Sequence, residues 1–270
     1  MIGRFGTQVS DAVNASTYIV YWQPGCTSCL KVKEFLTRNQ IAFESVNVRA
    51  DSAAAAKLVT LGARSIPVIA RGEQWVYGQD LDDVAAFIGV SNHRARLPTA
   101  SLVARIESLL GAATRYTEQL PAVSLEALLP GRADRAGIDL AFHIPMILAG
   151  FLDAARGGSL EFDYFERRPE SDARTCAAVT ARQREVAAQF KSWWESDGST
   201  LPALLDTYYG RKPTHGVLER TAWHIAQHTR QLESLVRGAG LDPEGPLGPA
   251  ELEGLPLPDG LWDPEISAPV

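Results

Sequence analysis

Cysteine is scarce in this chain: three in 270 residues, Cys26, Cys29 and Cys176. An odd count that contains one close pair excludes a framework of structural disulfides. It points to a reducing compartment with one working dithiol. Long basic runs are also missing, since no stretch of Lys or Arg exceeds two residues and the formal net charge is −6. That balance argues against nucleic acid or an anionic membrane as a partner. The opening segment, MIGRFGTQVSDAVNAST, lacks the apolar core of a secretion signal. The longest nearly apolar run, 140–152, is broken by His143, Pro145 and Gly150. It is shorter than the roughly 20 apolar residues that span a bilayer. A cytoplasmic location is expected, with no membrane partner.

What is present suggests two parts. Residues 17–21, TYIVY, are β-branched and aromatic and predict a buried strand. A helical pattern follows over 30–39, then an alternating strand over 43–48, a helix over 53–61 closed by Gly62, strands over 67–70 and 74–77, and a short helix over 81–88. This β-α-β-α-β-β-α order predicts an α/β thioredoxin-like domain over 1–90, with one parallel crossover and a terminal hairpin. Residues 91–100 are polar and basic and predict a linker.

From 101 to 240 the pattern is all helix. Apolar faces run from Leu102 to Tyr116, from Leu140 to Ala154, from Cys176 to Trp194 with an N-cap expected at Ser171-Asp172, and from Val217 to Leu235. Four amphipathic helices predict an all-α four-helix bundle. The segment 241–270 carries seven prolines and is expected to be extended.

Cys26-Thr27-Ser28-Cys29 falls between a strand and a helix. At a helix N-terminus, unpaired N–H groups and the helix dipole stabilise a thiolate, which is the nucleophile of disulfide exchange. Cys29, one turn on, can resolve a mixed disulfide. A zinc half-site is the other reading of such a pair, but no further cysteine lies nearby and the sole histidine in reach is His93 of the linker.

The segments YWQPGCTSCLKVKEFL, SIPVI and YGQDLDDVAAFIG together resemble the glutaredoxin family over residues 17–89. The resemblance implies catalytic Cys26 and Cys29, a cis Pro67 facing the cysteine, and backbone beside it, at Ile66, that pairs with a bound thiol. It also implies a ligand role for Asp80 at the glutamyl end of glutathione. Thr-Ser between the cysteines and Gln23 before them depart from the family pattern.

His224 and His228 are four apart and share a helical face, so both imidazoles can reach one ion; His143 lies on the apolar face of another helix. Each could equally be a hydrogen-bonded core histidine. His143 in LAFHIPMILAGFLDA and the run WHIAQHTRQL resemble the DinB-like superfamily of four-helix-bundle proteins, which includes metal-dependent thiol transferases. The resemblance implies that His143, His224 and His228 ligate a divalent metal, zinc or nickel among others. Pro145 should kink its helix or mark the first turn. Arg230 has two readings, a holder of a thiol carboxylate or a solvated side chain. His93 and His215 read as solvated.

Together these readings predict a thiol–disulfide oxidoreductase coupled to a metal-dependent small-thiol S-transferase or isomerase. Glutathione or a similar thiol would be cosubstrate, an electrophile or disulfide the substrate, and a homodimer one option. The rivals are a disulfide reductase with a helical docking module, and a non-enzymatic redox- or metal-responsive binding protein.

Overall fold

The computed structural model describes residues 17–198 and 200–267. The opening segment read above for its lack of an apolar core therefore lies outside the described residues, up to Ser16. The chain divides into two compact units, Met1–His93 and Arg94–Val270.

In the first unit β1 (Tyr18–Trp22), β2 (Phe43–Asn47), β3 (Val68–Arg71) and β4 (Gln74–Tyr77) form one sheet in the order β2-β1-β3-β4. β1 and β2 are parallel, with Tyr18 opposite Phe43; β3 runs antiparallel to β1 and turns tightly into β4. Strand alternation sends successive side chains to opposite faces. Val20 and Ile69 pack with Val32, Phe35, Leu36, Val84 and Ile88, from α1 (Thr27–Arg38) and α3 (Leu81–Ile88). Tyr21, Val68 and Ala70 pack on the other face with Ala54 and Leu58 of α2 (Ser52–Leu61). The helices are closed at both ends by local chemistry. Asp51 accepts from the Ala53 and Ala54 N–H groups to start α2, and Gly62 and Gly89 adopt the left-handed conformation that ends α2 and α3. These layers fit a thioredoxin-like domain.

The second unit is built on four long helices, α4 (Thr99–Gln119), α6 (Gly137–Ala155), α8 (Cys176–Asp197) and α9 (Thr214–Gly238). α4 and α6 each pack against both α8 and α9. Short α5 (Ala122–Glu126) and α7 (Asp163–Glu166) lie in the connections. A small sheet absent from the sequence reading joins β5 (Ser159–Leu160), parallel, to β6 (Leu204–Thr207), which pairs antiparallel with β7 (Gly210–Pro213). α8 is capped by Thr175, whose hydroxyl accepts from Ala178 N–H, rather than by Ser171-Asp172, which form a separate 3-10 turn.

Pro145 sits in the middle of α6, so it does not mark a first turn. A helical proline leaves the carbonyl four residues before it without a donor. Here that carbonyl, Ala141 O, accepts from Gln183 Nε2 of α8 at 2.9 Å, and the same amide nitrogen reaches Thr117 Oγ1 at 3.2 Å. Gln183 is fully buried, so this cross-helix amide replaces the missing backbone donor in the middle of the core. By length and composition α6 could cross a membrane, but most of it is buried inside the unit.

The stretch expected as linker is divided between the units. Arg94 and Arg96 pair with buried Glu219 of α9, and His215, read as solvated, is partly exposed and contacts Leu97 O at 2.9 Å. His93 is exposed. The proline-rich segment after Gly240, as far as it is described, lies along α4 and α9. Tyr116 Oη donates to Gly245 O, and Arg105 to Glu253 O, each at 2.9 Å.

Candidate functional sites

Cys26 is the N-cap of α1 and Cys29 occupies its first turn. The two are joined as a disulfide with their Cα atoms 5.2 Å apart. Cys26 Sγ accepts from Cys29 N–H at 3.2 Å, the position in which a helix N-terminus favours a thiolate. Cys26 is partly exposed and Cys29 is entirely buried. An incoming sulfur can therefore reach Cys26 and not Cys29. Gln23, where a basic residue was missing, accepts from Arg49 Nε at 3.1 Å. A guanidinium thus stands beside the segment that leads into Cys26.

The Ile66–Pro67 bond is cis, as the resemblance implies. Its loop is tied down from the end of β4. Gly78 N–H donates to Pro67 O at 2.9 Å, and Gln79 Nε2 donates to Ile66 O at 2.8 Å. A Cβ on Gly78 would come within 2.7 Å of Val32 Cγ2 and 2.8 Å of Pro67 Cγ. Only glycine permits that approach between α1, the proline loop and β4. Asp80 caps α3 by accepting from Asp82 N–H at 2.9 Å. Gln79 was not singled out in the sequence; nothing but its place within YGQDLDD hinted at it.

In the second unit His143 of α6 meets His224 and His228 of α9. Their candidate donor atoms all lie within 4.8 Å of one another. The ring centroids are 4.9 Å apart for His143 and His228, 4.8 Å for His224 and His228, and 5.5 Å for His143 and His224. His224 and His228 are buried, while His143 is partly exposed. Phe165 of α7 packs on the cluster, 5.9 Å from His143 and 5.6 Å from His224.

Burial lowers the pKa of His228 to about 4 against the hydrogen bond it donates to Gln231, and holds His143 well below the ordinary range, helped by the proximity of His228 and the charges of Arg135, Arg132 and Arg220. Both rings are therefore neutral near pH 7, the form that ligates metal. His228 Nδ1 meets Gln231 Oε1 at 2.7 Å. An amide oxygen can only accept, so Nδ1 carries the proton and Nε2 keeps its lone pair toward the cluster. Among the described residues the buried His143 Nδ1 has no partner. Three imidazoles converging on one point, two of them neutral and one with an unmatched nitrogen among the described residues, fit a divalent cation.

Arg230 does not stand free. Its guanidinium donates to Gln227 Oε1 at 2.7 Å, Pro258 O at 2.9 Å and Asp259 O at 3.2 Å. Gln227 Nε2 reaches Gly260 O and Leu261 O, and Gln231 Nε2 reaches Leu261 O at 2.7 Å. The C-terminal segment is thereby fastened to the same helix that carries two of the histidines. Cys176, at the start of α8, donates to Thr117 O at 3.4 Å, and burial pushes its thiol pKa up, which suits packing rather than reactivity.

A glutaredoxin family model matches residues 18–76. That span holds both cysteines, Ile66 and Pro67, and stops before Asp80. No curated protein matches the chain. The match and the paired Cys26 and Cys29 support thiol–disulfide oxidoreductase activity in the first unit.

Proposed function

We propose that the chain is a two-site thiol enzyme, a glutathione-type disulfide reductase joined to a metal-dependent small-thiol S-transferase or isomerase of DinB-like kind. The observation that carries the second half is the convergence of His143, His224 and His228 in a chain that also holds a dithiol.

In the first unit the reduced Cys26 thiolate attacks a substrate disulfide, forming a Cys26–substrate bond and releasing one thiolate. Cys29, deprotonated, then attacks Cys26 Sγ and releases the second thiolate, leaving the Cys26–Cys29 disulfide. Two equivalents of a glutathione-type thiol return it to the dithiol and leave as their own disulfide. Ile66 and Pro67 would hold the thiol's backbone and Asp80 its amino end; Gln79 and Gly78 keep that loop in place.

In the second unit His143, His224 and His228 would hold the ion. When bound, a divalent metal such as zinc or nickel lowers a thiol's pKa and keeps it as thiolate near neutral pH. Gln231 fixes which nitrogen of His228 is available, and Phe165 shields the cluster from water.

The test is hydroxyethyl disulfide reduction and metal content measured on one preparation. Chelation or His224→Ala should remove stoichiometric metal and leave disulfide reduction largely intact, whereas Cys26→Ser should do the reverse. A purified chain that takes up no divalent ion under any loading condition would leave only the reductase.

A further inference from the structure

Arg220, His224 and His228 recur every four residues along α9 and so share one face of the helix. Arg220 lies four residues before His224, about 6 Å of axial rise. It is 5% exposed. Among the described residues it has one hydrogen bond, from Nη2 to the hydroxyl of Tyr208 at 2.9 Å, and its buried Nε has no partner. Phe165, Tyr208 and Tyr209 box the guanidinium carbon at 5.2, 5.8 and 5.3 Å from their ring centroids. Among the described residues it has no carboxylate partner. The neighbouring buried Arg135 differs, since it pairs with Glu166 at 3.5 Å.

A buried guanidinium without a counter-ion is costly to keep, and aromatic faces offset only part of the cost. Its fork matches a carboxylate, and Phe165 is a wall shared between Arg220 and the histidines. We propose that Arg220 holds the carboxylate of an acidic small-molecule substrate whose reacting atom lies at the histidine cluster. This deepens the metal–thiol reading above and rests on it for the position of the reacting atom.

The test uses the full chain carrying Cys26→Ser and Cys29→Ser, loaded with cobalt so that thiolate ligation is read by its charge-transfer absorption. Mercaptoacetate, 3-mercaptopropionate and 4-mercaptobutyrate are titrated against uncharged 2-mercaptoethanol. With Arg220 present, at least one acidic thiol binds about tenfold or more tighter than 2-mercaptoethanol, as a charge-assisted pair predicts. Arg220→Met abolishes that preference and leaves 2-mercaptoethanol binding unchanged. Arg220→Lys keeps part of it, and decides the matter if the Met variant does not fold. Equal affinities with Arg220 intact, or a preference that survives its removal, would overturn the assignment.

If no cobalt is taken up, the metal reading falls and a second readout judges Arg220 alone. Saturation-transfer NMR on the metal-free chain should then show contact with benzoate and not with benzyl alcohol, lost in Arg220→Met. No transfer to benzoate would overturn the carboxylate site as well.

Discussion

Acidifying the metal-free protein should weaken its helical unit well above the pH at which carboxylates titrate. His228 is buried and its pKa falls to about 4 in the fold, against roughly 6.5 in an unfolded chain. A histidine with a lowered folded pKa binds its proton more readily when unfolded. Stability is then full above about pH 6.5 and is lost as the pH falls toward 4. The gap of about 2.5 units corresponds to about 3 kcal/mol at the acid limit, and about 2.5 kcal/mol of it is gone by pH 4.5. His143 is shifted in the same direction and adds to the loss. Asp139 acts lower on the scale. Burial would raise its pKa, but hydrogen bonds from Arg174 and Ala136 N–H outweigh that and hold it low. Its contribution persists above the unfolded carboxylate range, near pH 4, and disappears only below it. The assay is urea unfolding of chelated protein followed at 222 nm, where the four long helices dominate, at half-unit steps from pH 7.5 to 4.5. The curve should fall by roughly 2–3 kcal/mol, and His228→Asn should remove most of the His228 share of the slope. A flat profile over this range, or an unchanged slope in His228→Asn, would refute the burial argument. Saturating zinc should raise stability most at the upper end, because protons compete for the same nitrogens.

Three further outcomes follow from the geometry. In the reduced protein, iodoacetamide near pH 6 should label Cys26 first, read by peptide mass; first labelling at Cys29 or Cys176 would contradict the exposure difference. Gln183→Leu leaves Ala141 O beside Pro145 without its donor and should cost about 1–3 kcal/mol in urea unfolding; a change below half a kcal/mol would show that the carbonyl finds another partner. Gln231→Leu frees the His228 ring and removes one of the two side-chain bonds to Leu261 O, so metal affinity should fall about 10–100-fold by competition with a chromophoric chelator, while disulfide reduction stays unchanged; equal affinity would mean that Gln231 does not orient the ligand.

The strands of the first unit, the ends of its helices and the dithiol were readable because each is a local matter. The β-branched and aromatic run TYIVY, the alternation over 43–48, the cysteine pair before a helical pattern, and Gly62 and Gly89 after apolar helical runs all act within a few residues. The histidine cluster was half-readable: the four-residue spacing of His224 and His228 puts them on one face, but only the packing of α6 on α9 brings His143 to them. The small sheet escaped because strands of two to four residues, β5 among them, carry too little periodicity to separate from turns. Pro145 argued for a helix start or a kink, and the tertiary structure placed it in mid-helix because Gln183, 38 residues further along, supplies the donor that the backbone lacks. Polar residues behave likewise. Gln79, Arg230 and Gln231 carry no pattern of their own, and Arg220 has only its four-residue spacing from His224; what each one does depends on which carbonyl, ring or hydroxyl the fold sets against it.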